Sequence, residues 1–183
     1  AYQVGAGAET DAYYAAFQIP DLLNHLLSGG ALSIAFVPLY TRHLAAGDAR
    51  RAEHLLATVL GTLTAVAVLT TALLWWWAEP LIALQFPRFD AATQATTVHL
   101  TRIVLPAQIF FIAGGIVNAT LFAYGRFGAA ALAPLLYNGG IIAGGLLLAP
   151  RATVGVEGFA WGVLAGAVAG PFLAPLLYAR GRV

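Results

Sequence analysis

Four stretches of this chain run for twenty residues or more without a charged side chain: Leu56–Ala78, Ile103–Gly125, Phe127–Pro150 and Gly158–Ala179. A helix needs about 20 apolar residues to cross the hydrocarbon core of a bilayer. A fifth stretch, Leu22–Thr41, holds His25 but no carboxylate, lysine or arginine. In lipid every backbone N–H and C=O must find a partner within the protein, so runs this long and continuous predict helices. They lack the alternation that a barrel strand would show. Composition agrees, since 60% of the 183 residues are hydrophobic and 9% are charged. A soluble domain carries about 25% charged residues. The expected fold class is all-α, a polytopic membrane helix bundle.

Other classes are excluded by what the chain lacks. Without cysteine there is neither a disulfide framework nor a thiolate metal site. A net charge of +1 gives no basic face for a nucleic acid, so none is expected as a partner. No catalytic constellation, metal set or cofactor motif stands out. "HLAAGD" places His43 and Asp48 at the spacing of an acyltransferase pair, but in a polar loop with no supporting blocks. "GAGAET" opens like a phosphate loop, but no predicted strand precedes it. Methionine is absent even at position 1, and the pattern opens inside a helix, so the sequence is expected to start within a gene.

About five complete membrane helices are expected, over 11–43, 53–78, 92–125, 128–149 and 156–179, with residues 1–8 as the tail of a preceding one. The whole of 1–183 reads as one transmembrane unit. Cytoplasmic connections collect basic residues. Arg42, Arg50 and Arg51 lie in the first connection, Arg126 in the third, and Arg180 and Arg182 in the tail. The alternate connections, "AEPLIALQFPRFDAATQ" and "PRATVGVEG", hold one arginine each. The first group is therefore expected in the cytoplasm, with Trp75–Trp77 forming an aromatic belt on the other side. Arg102 stands at the mouth of a span and belongs to neither set.

Polar and helix-weakening residues interrupt these spans. Gly29-Gly30, Pro106, Gly114-Gly115, Pro134, Gly139-Gly140, Gly144-Gly145, Pro171 and Pro175 all fall inside them. Small residues let helices approach closely. Broken helices are also tolerated where they face protein or a water-filled cavity. In the first complete span the break coincides with Asn24 and His25, which lipid would not tolerate unpaired. These two, and Asn138 of a later span, are expected to face the bundle interior or a cavity. Thr10 or Asp11 stands where a helix cap belongs. Asp11 can alternatively be an ionisable group at a cavity mouth.

These residues carry a family likeness. "GAGAETDAYYAAFQIPDLLNHLLSGGALSIAFVPLYTRHLAAGD" resembles the region from the end of the first helix through the second in the MurJ/MviN lipid II flippases, through Thr10, Asp11, Ala12, Phe17, Pro20, Leu22, Leu23, Gly30, Ala31, Ser33, Ala35, Phe36, Val37 and Pro38. "GRFGAAALAPLLYN" is similar to a second family stretch, through Arg126, Phe127, Pro134 and Asn138. The resemblance implies the multidrug/oligosaccharidyl-lipid/polysaccharide exporter fold, with two lobes about a cavity that opens alternately to each side. This chain would supply most of the first lobe, and a C-terminal lobe of the same chain would complete the cavity.

The implied partners are a lipid-linked peptidoglycan precursor and the lipids of the bacterial inner membrane. The implied role is transport in cell wall biogenesis and cell shape. No covalent chemistry is implied. The alternative within the superfamily is an exporter of another polyprenyl-linked saccharide or a drug. The chain departs from the family where an arginine pair gives way to Asn24 and His25, a glutamate to Gly29 and an asparagine to Asp21. Asp11, Asn24, His25 and Asn138 are the expected cavity residues. Pro20, Gly29, Gly30 and Pro38 are the expected points of bending.

Overall fold

The computed structural model describes residues 7–28, 31–150 and 155–180, and every regular element among them is helical. Helices α1 (Ala8–Ala16), α2 (Gln18–Ser28) and α3 (Ala31–Ala45) follow one another along the first expected span. The glycine pair Gly29-Gly30, expected to bend that span, lies outside the described residues. Next come α4 (Ala49–Trp76), α5 (Ala78–Gln85), α6 (Ala91–Val104), α7 (Ala107–Ala123), α8 (Gly128–Leu147) and α9 (Glu157–Ala167). A π-helical turn, Val168–Leu173, links α9 to α10 (Ala174–Arg180). Among the described residues, four helical runs are long and apolar enough to cross a membrane: Ala49–Trp76, Ala91–Ala123, Gly128–Leu147 and Glu157–Arg180.

The α6–α7 run is the centre of the bundle. Of its most apolar stretch 67% is buried, against 11% in α4. Ala12 and Ala16 of α1 pack on Leu100, Ile103 and Val104 of α6, with Ala160, Val163 and Ala167 of α9 closing the same cluster. On the opposite flank Ala67 of α4 meets Ile112 and Ile116 of α7. Leu69, Leu73, Leu135, Ile142, Leu146 and Leu147 are exposed. That surface suits hydrocarbon, which costs an apolar side chain nothing. Threonines within the helices return their hydroxyls to the preceding turn, as Thr97 does to Thr93 O and Thr101 to Thr97 O, both at 2.8 Å.

The glycines of α8 and α9 have a packing reason. A Cβ on Gly140 would stand 2.6 Å from Gly166 Cα, and one on Gly162 would stand 2.6 Å from Gly140 O. One on Gly144 would stand 2.7 Å from Gly162 Cα. The two backbones are thus in direct contact, the arrangement that small residues make possible. Gly139, next to Gly140, meets nothing within 4 Å. Pro171 sits in the π turn, where its missing N–H and its ring disfavour regular α-helix. A side chain on Gly114 of α7 would collide with the Pro171 carbonyl, so the distorted turn also packs backbone to backbone.

Three local expectations are corrected. Thr10 and Asp11 do not cap a helix, because Gly7 holds the N-cap position and both residues lie in the first turn of α1. Ala8, expected in the tail of a preceding helix, begins α1 instead. The connection after Trp77 is not simple loop. It folds into α5, whose Ala78 and Ile82 are fully buried against Val98 and Leu105. Pro80 falls in the first turn of α5, where its missing N–H is no loss. Asp90 then caps α6, accepting the Thr93 N–H at 2.8 Å. That bond and one from the Thr93 hydroxyl hold its carboxyl below the usual range. The cap's contribution is present above the unfolded-state pKa and fades as acid protonates Asp90.

Candidate functional site

The expected cavity residues fall on the consecutive helices α1 and α2 and on α8. Asp11, Tyr14, Gln18, Asp21 and His25 are all exposed, at steps of three or four residues along α1–α2. Such steps align on one helical face. The opposite face, Ala12, Ala15, Ala16, Ile19 and Leu23, is buried. The sequence therefore writes an amphipathic stripe along α1–α2, and packing of the alanines on α6 turns its polar side outward. Asp11 and His25 are fourteen residues apart, about 21 Å along a helix. They stand at different depths and cannot grip one small group together.

Within the stripe, His25 Nδ1 lies 2.8 Å from the carbonyl oxygen of Asp21. A carbonyl only accepts, so Nδ1 carries the proton and donates it. In the neutral ring Nε2 is then an acceptor. His25 can donate from Nε2 to an anion only when doubly protonated. Asn24 is half-buried beside it. Asn138 on α8 is exposed, and its Nδ2 donates to Pro134 O at 2.9 Å, engaging its own helix.

The expected bending positions differ in surroundings. Pro20 is among the most deeply buried side chains and falls in the first turn of α2. Lacking an N–H, it leaves the Ala16 carbonyl without the usual helical partner. Thr101 Oγ1 lies 3.4 Å from that carbonyl, across the α1–α6 contact. Pro38 is exposed inside α3, and Thr41 Oγ1 donates to Val37 O and Pro38 O just past it, both at 3.0 Å.

The His43–Asp48 pair does not assemble as a catalytic dyad. Asp48 caps α4 by accepting the Arg51 N–H at 3.1 Å, and it pairs with Arg51 Nε at 3.2 Å. Its backbone N–H donates to His43 O, so the spacing reflects a helix-ending turn. Asp48→Ala is expected to cost about 1 kcal/mol of stability through the lost cap. Thermal melts of the two proteins check this. Among the described residues no group of three His, Cys, Asp or Glu side chains is placed to hold a metal ion.

Sequence reasoning missed two polar groupings. Thr64 and Thr71 of α4 and Gln108 and Asn118 of α7 each bury a side-chain oxygen that has no hydrogen-bond partner. At the belt end of the bundle, His99 of α6 bonds Glu157 of α9 at 3.1 Å. Arg102 joins them, donating from Nε to Trp75 O at 3.3 Å with its guanidinium 4.9 Å from the Trp75 ring centroid. This places Arg102 on the tryptophan side. Fifty-eight positions separate His99 from Glu157, so no local spacing could have paired them.

The comparisons with known proteins agree with this architecture. The family model described as "Lipid II flippase MurJ" matches residues 1–181. The Lipid II flippase MurJ of Burkholderia cenocepacia is 33% identical over 171 residues, covering 90% of this chain and 32% of the relative. The Probable lipid II flippase MurJ of Bdellovibrio bacteriovorus is 32% identical over 170 residues, covering 87% of this chain and 31% of the relative. A solved structure of a lipid II flippase MurJ in an inward closed conformation superposes with a TM-score of 0.75 at 24% identity, covering 96% of this chain and 36% of that one. That likeness shows the fold. The chain thus spans about a third of the length of the relatives it matches. Flippases are transporters, not a catalytic class. With its apolar helices and a family match over nearly its whole length, this chain is part of a multi-pass membrane protein and belongs to the lipid II flippase MurJ family.

Proposed function

We propose that this chain is the N-terminal lobe of a lipid II flippase in the bacterial inner membrane. The full protein would carry an undecaprenyl-pyrophosphate-linked peptidoglycan precursor to the outer leaflet by alternating access, with no covalent step. The observation that carries the reading is the exposed polar stripe of α1–α2 on an otherwise apolar bundle. Ionisable groups in membrane segments face an aqueous cavity or a partner, because lipid penalises them. The C-terminal lobe of the same chain would complete that cavity. Pro20, Gly29, Gly30 and Pro38 would let the lining helix bend as access changes.

Asn24 and His25 would take the headgroup in place of the family's arginine pair, with Asn138 lining the cavity from α8. With Nδ1 committed to Asp21 O, His25 meets a pyrophosphate by donating from Nε2 in its charged form. A second reading follows from the same substitution. Without the arginine pair the lobe could serve an exporter of another polyprenyl-linked saccharide or a drug.

The test is complementation. The full-length gene is expressed in cells depleted of their own lipid II flippase, and lipid II exposed on the outer leaflet is measured. Restored exposure supports the flippase. Good membrane expression without exposure, in a host shown to accept a related flippase, favours the second reading. His25→Leu in the complementing protein is expected to reduce exposure, and His25→Arg to retain it.

A further inference from the structure

The belt end of the bundle holds a crevice lined by an arginine and a glutamate that the transport reading does not use. Two adjoining cavities, of about 380 and 390 Å³, share His99 and Arg102 as a common wall. The first lies between Trp75 and Trp161 and continues past Ile103, Pro106 and Leu164. The second is bordered by Glu79 and Gln94. Chain direction sets the depth. α6 and α9 both enter the membrane from this end, so Pro106 lies about 10 Å deeper than His99 at 1.5 Å per residue. The first cavity is thus polar at its mouth and apolar below.

The charges at the mouth are arranged unevenly. Glu157 occupies the His99 ring at 3.1 Å. Arg102 bonds only a carbonyl, Trp75 O, and forms no ion pair among the described residues. Its guanidinium keeps further N–H donors for an anion. A phosphate is the anion that the bilayer supplies at this depth, and a guanidinium binds it well. Glu79, exposed on the far side of the same wall, faces the second cavity without a basic partner among the described residues. A cation beyond the phosphate would satisfy it. Phosphate, ammonium and acyl chain together describe one molecule.

We propose that this crevice binds one outer-leaflet phospholipid with an amine-bearing headgroup. Arg102 takes the phosphate, Glu79 and Gln94 take the ammonium, and the start of an acyl chain lies along Ile103, Pro106 and Leu164 between the two tryptophans. The occupant is a bilayer lipid and not the transported cargo. The inference rests on the membrane-spanning fold and stands whether or not the cargo is lipid II.

Native mass spectrometry of the full-length protein, titrated with phosphatidylethanolamine or phosphatidylglycerol, tests it. The first adduct is expected to favour phosphatidylethanolamine. Arg102→Ala should weaken that adduct by about tenfold or more, the worth of one charge-assisted bond. Glu79→Gln lies on an exposed surface and leaves the packing intact. It should retain binding but abolish the preference between the two lipids. Three results would overturn the proposal: equal affinity for both lipids in the unaltered protein, unchanged binding in Arg102→Ala, or a preference that survives Glu79→Gln. Competition by glycerophosphoethanolamine, which has no acyl chain, as effective as the intact lipid would overturn the acyl-chain contact and leave only a site for soluble phosphate esters.

Discussion

Gly162→Leu is expected to undo the contact between α8 and α9 and to lower the melting temperature by roughly 10 °C. Even a Cβ at this position would stand 2.6 Å from Gly140 O, 3.0 Å from Ile141 Cα and 3.2 Å from Gly140 C. All three are backbone atoms, so no rotamer change can relieve the clash. Overpacking a core costs about 1–3 kcal/mol where side chains can adjust. Here they cannot, and a cost above about 3 kcal/mol follows. At about 2–4 °C per kcal/mol for a chain of this size, that gives the stated shift. Gly139→Ala is the control on the same helix. Nothing lies within 4 Å of its Cβ, so relief of glycine's helix penalty should stabilise it by about 0.5–1 kcal/mol. Melts of both variants in detergent decide the matter. A Gly162→Leu protein that melts with the unaltered one would show that α8 and α9 are not in backbone contact.

Asp11→Ala is expected to separate transport from folding. Lipid II exposure in complemented cells should fall to the level of cells without the gene, while the melting temperature barely moves. Asp11 does little for the fold. Its side chain is exposed, it caps nothing, and its backbone N–H donates to Gly7 O whatever the side chain. What it contributes to the fold is a negative charge in the first turn of α1, worth about 0.3–1 kcal/mol at a helix N-terminus. A carboxylate that adds so little to stability, at the membrane boundary of the proposed cavity-lining helix, can be spared only if transport does not use it. Asp11→Glu keeps the charge and should retain part of the activity. Full exposure in Asp11→Ala would remove this residue from the mechanism.

The two outcomes differ in kind because the two residues were legible to different degrees. Asp11 stands out in the sequence as a carboxylate beside a long apolar run, and the structure adds that it is exposed on the polar face of α1–α2 and is not a cap. Gly162 does not stand out at all. The sequence offers many glycines in spans, and only the partner helix tells which ones matter. Gly139 and Gly140 are neighbours, and one faces open space while the other faces Gly166. The arginine count left Arg102 without a side, and its bond to Trp75 O supplied one.

The sequence by itself determined the solvent and the all-helical class, while α5 and the π turn emerged only in the structure. Long uncharged runs admit only membrane helices, because lipid leaves backbone polar groups no other way to be paired. The family likeness was also legible there, since motifs such as Thr10-Asp11-Ala12 and Phe36-Val37-Pro38 are local. Only the tertiary structure decided which helix lies at the centre and which face of α1–α2 is left exposed. It also brought His99 to Glu157 and Arg102 to Trp75. The physical reason is that a membrane removes the usual signal of burial. In water an apolar face points inward, and hydropathy reports it. In lipid both faces of a helix are apolar, so the choice of neighbours passes to shape, to glycines that admit a backbone, and to a few polar side chains that need partners.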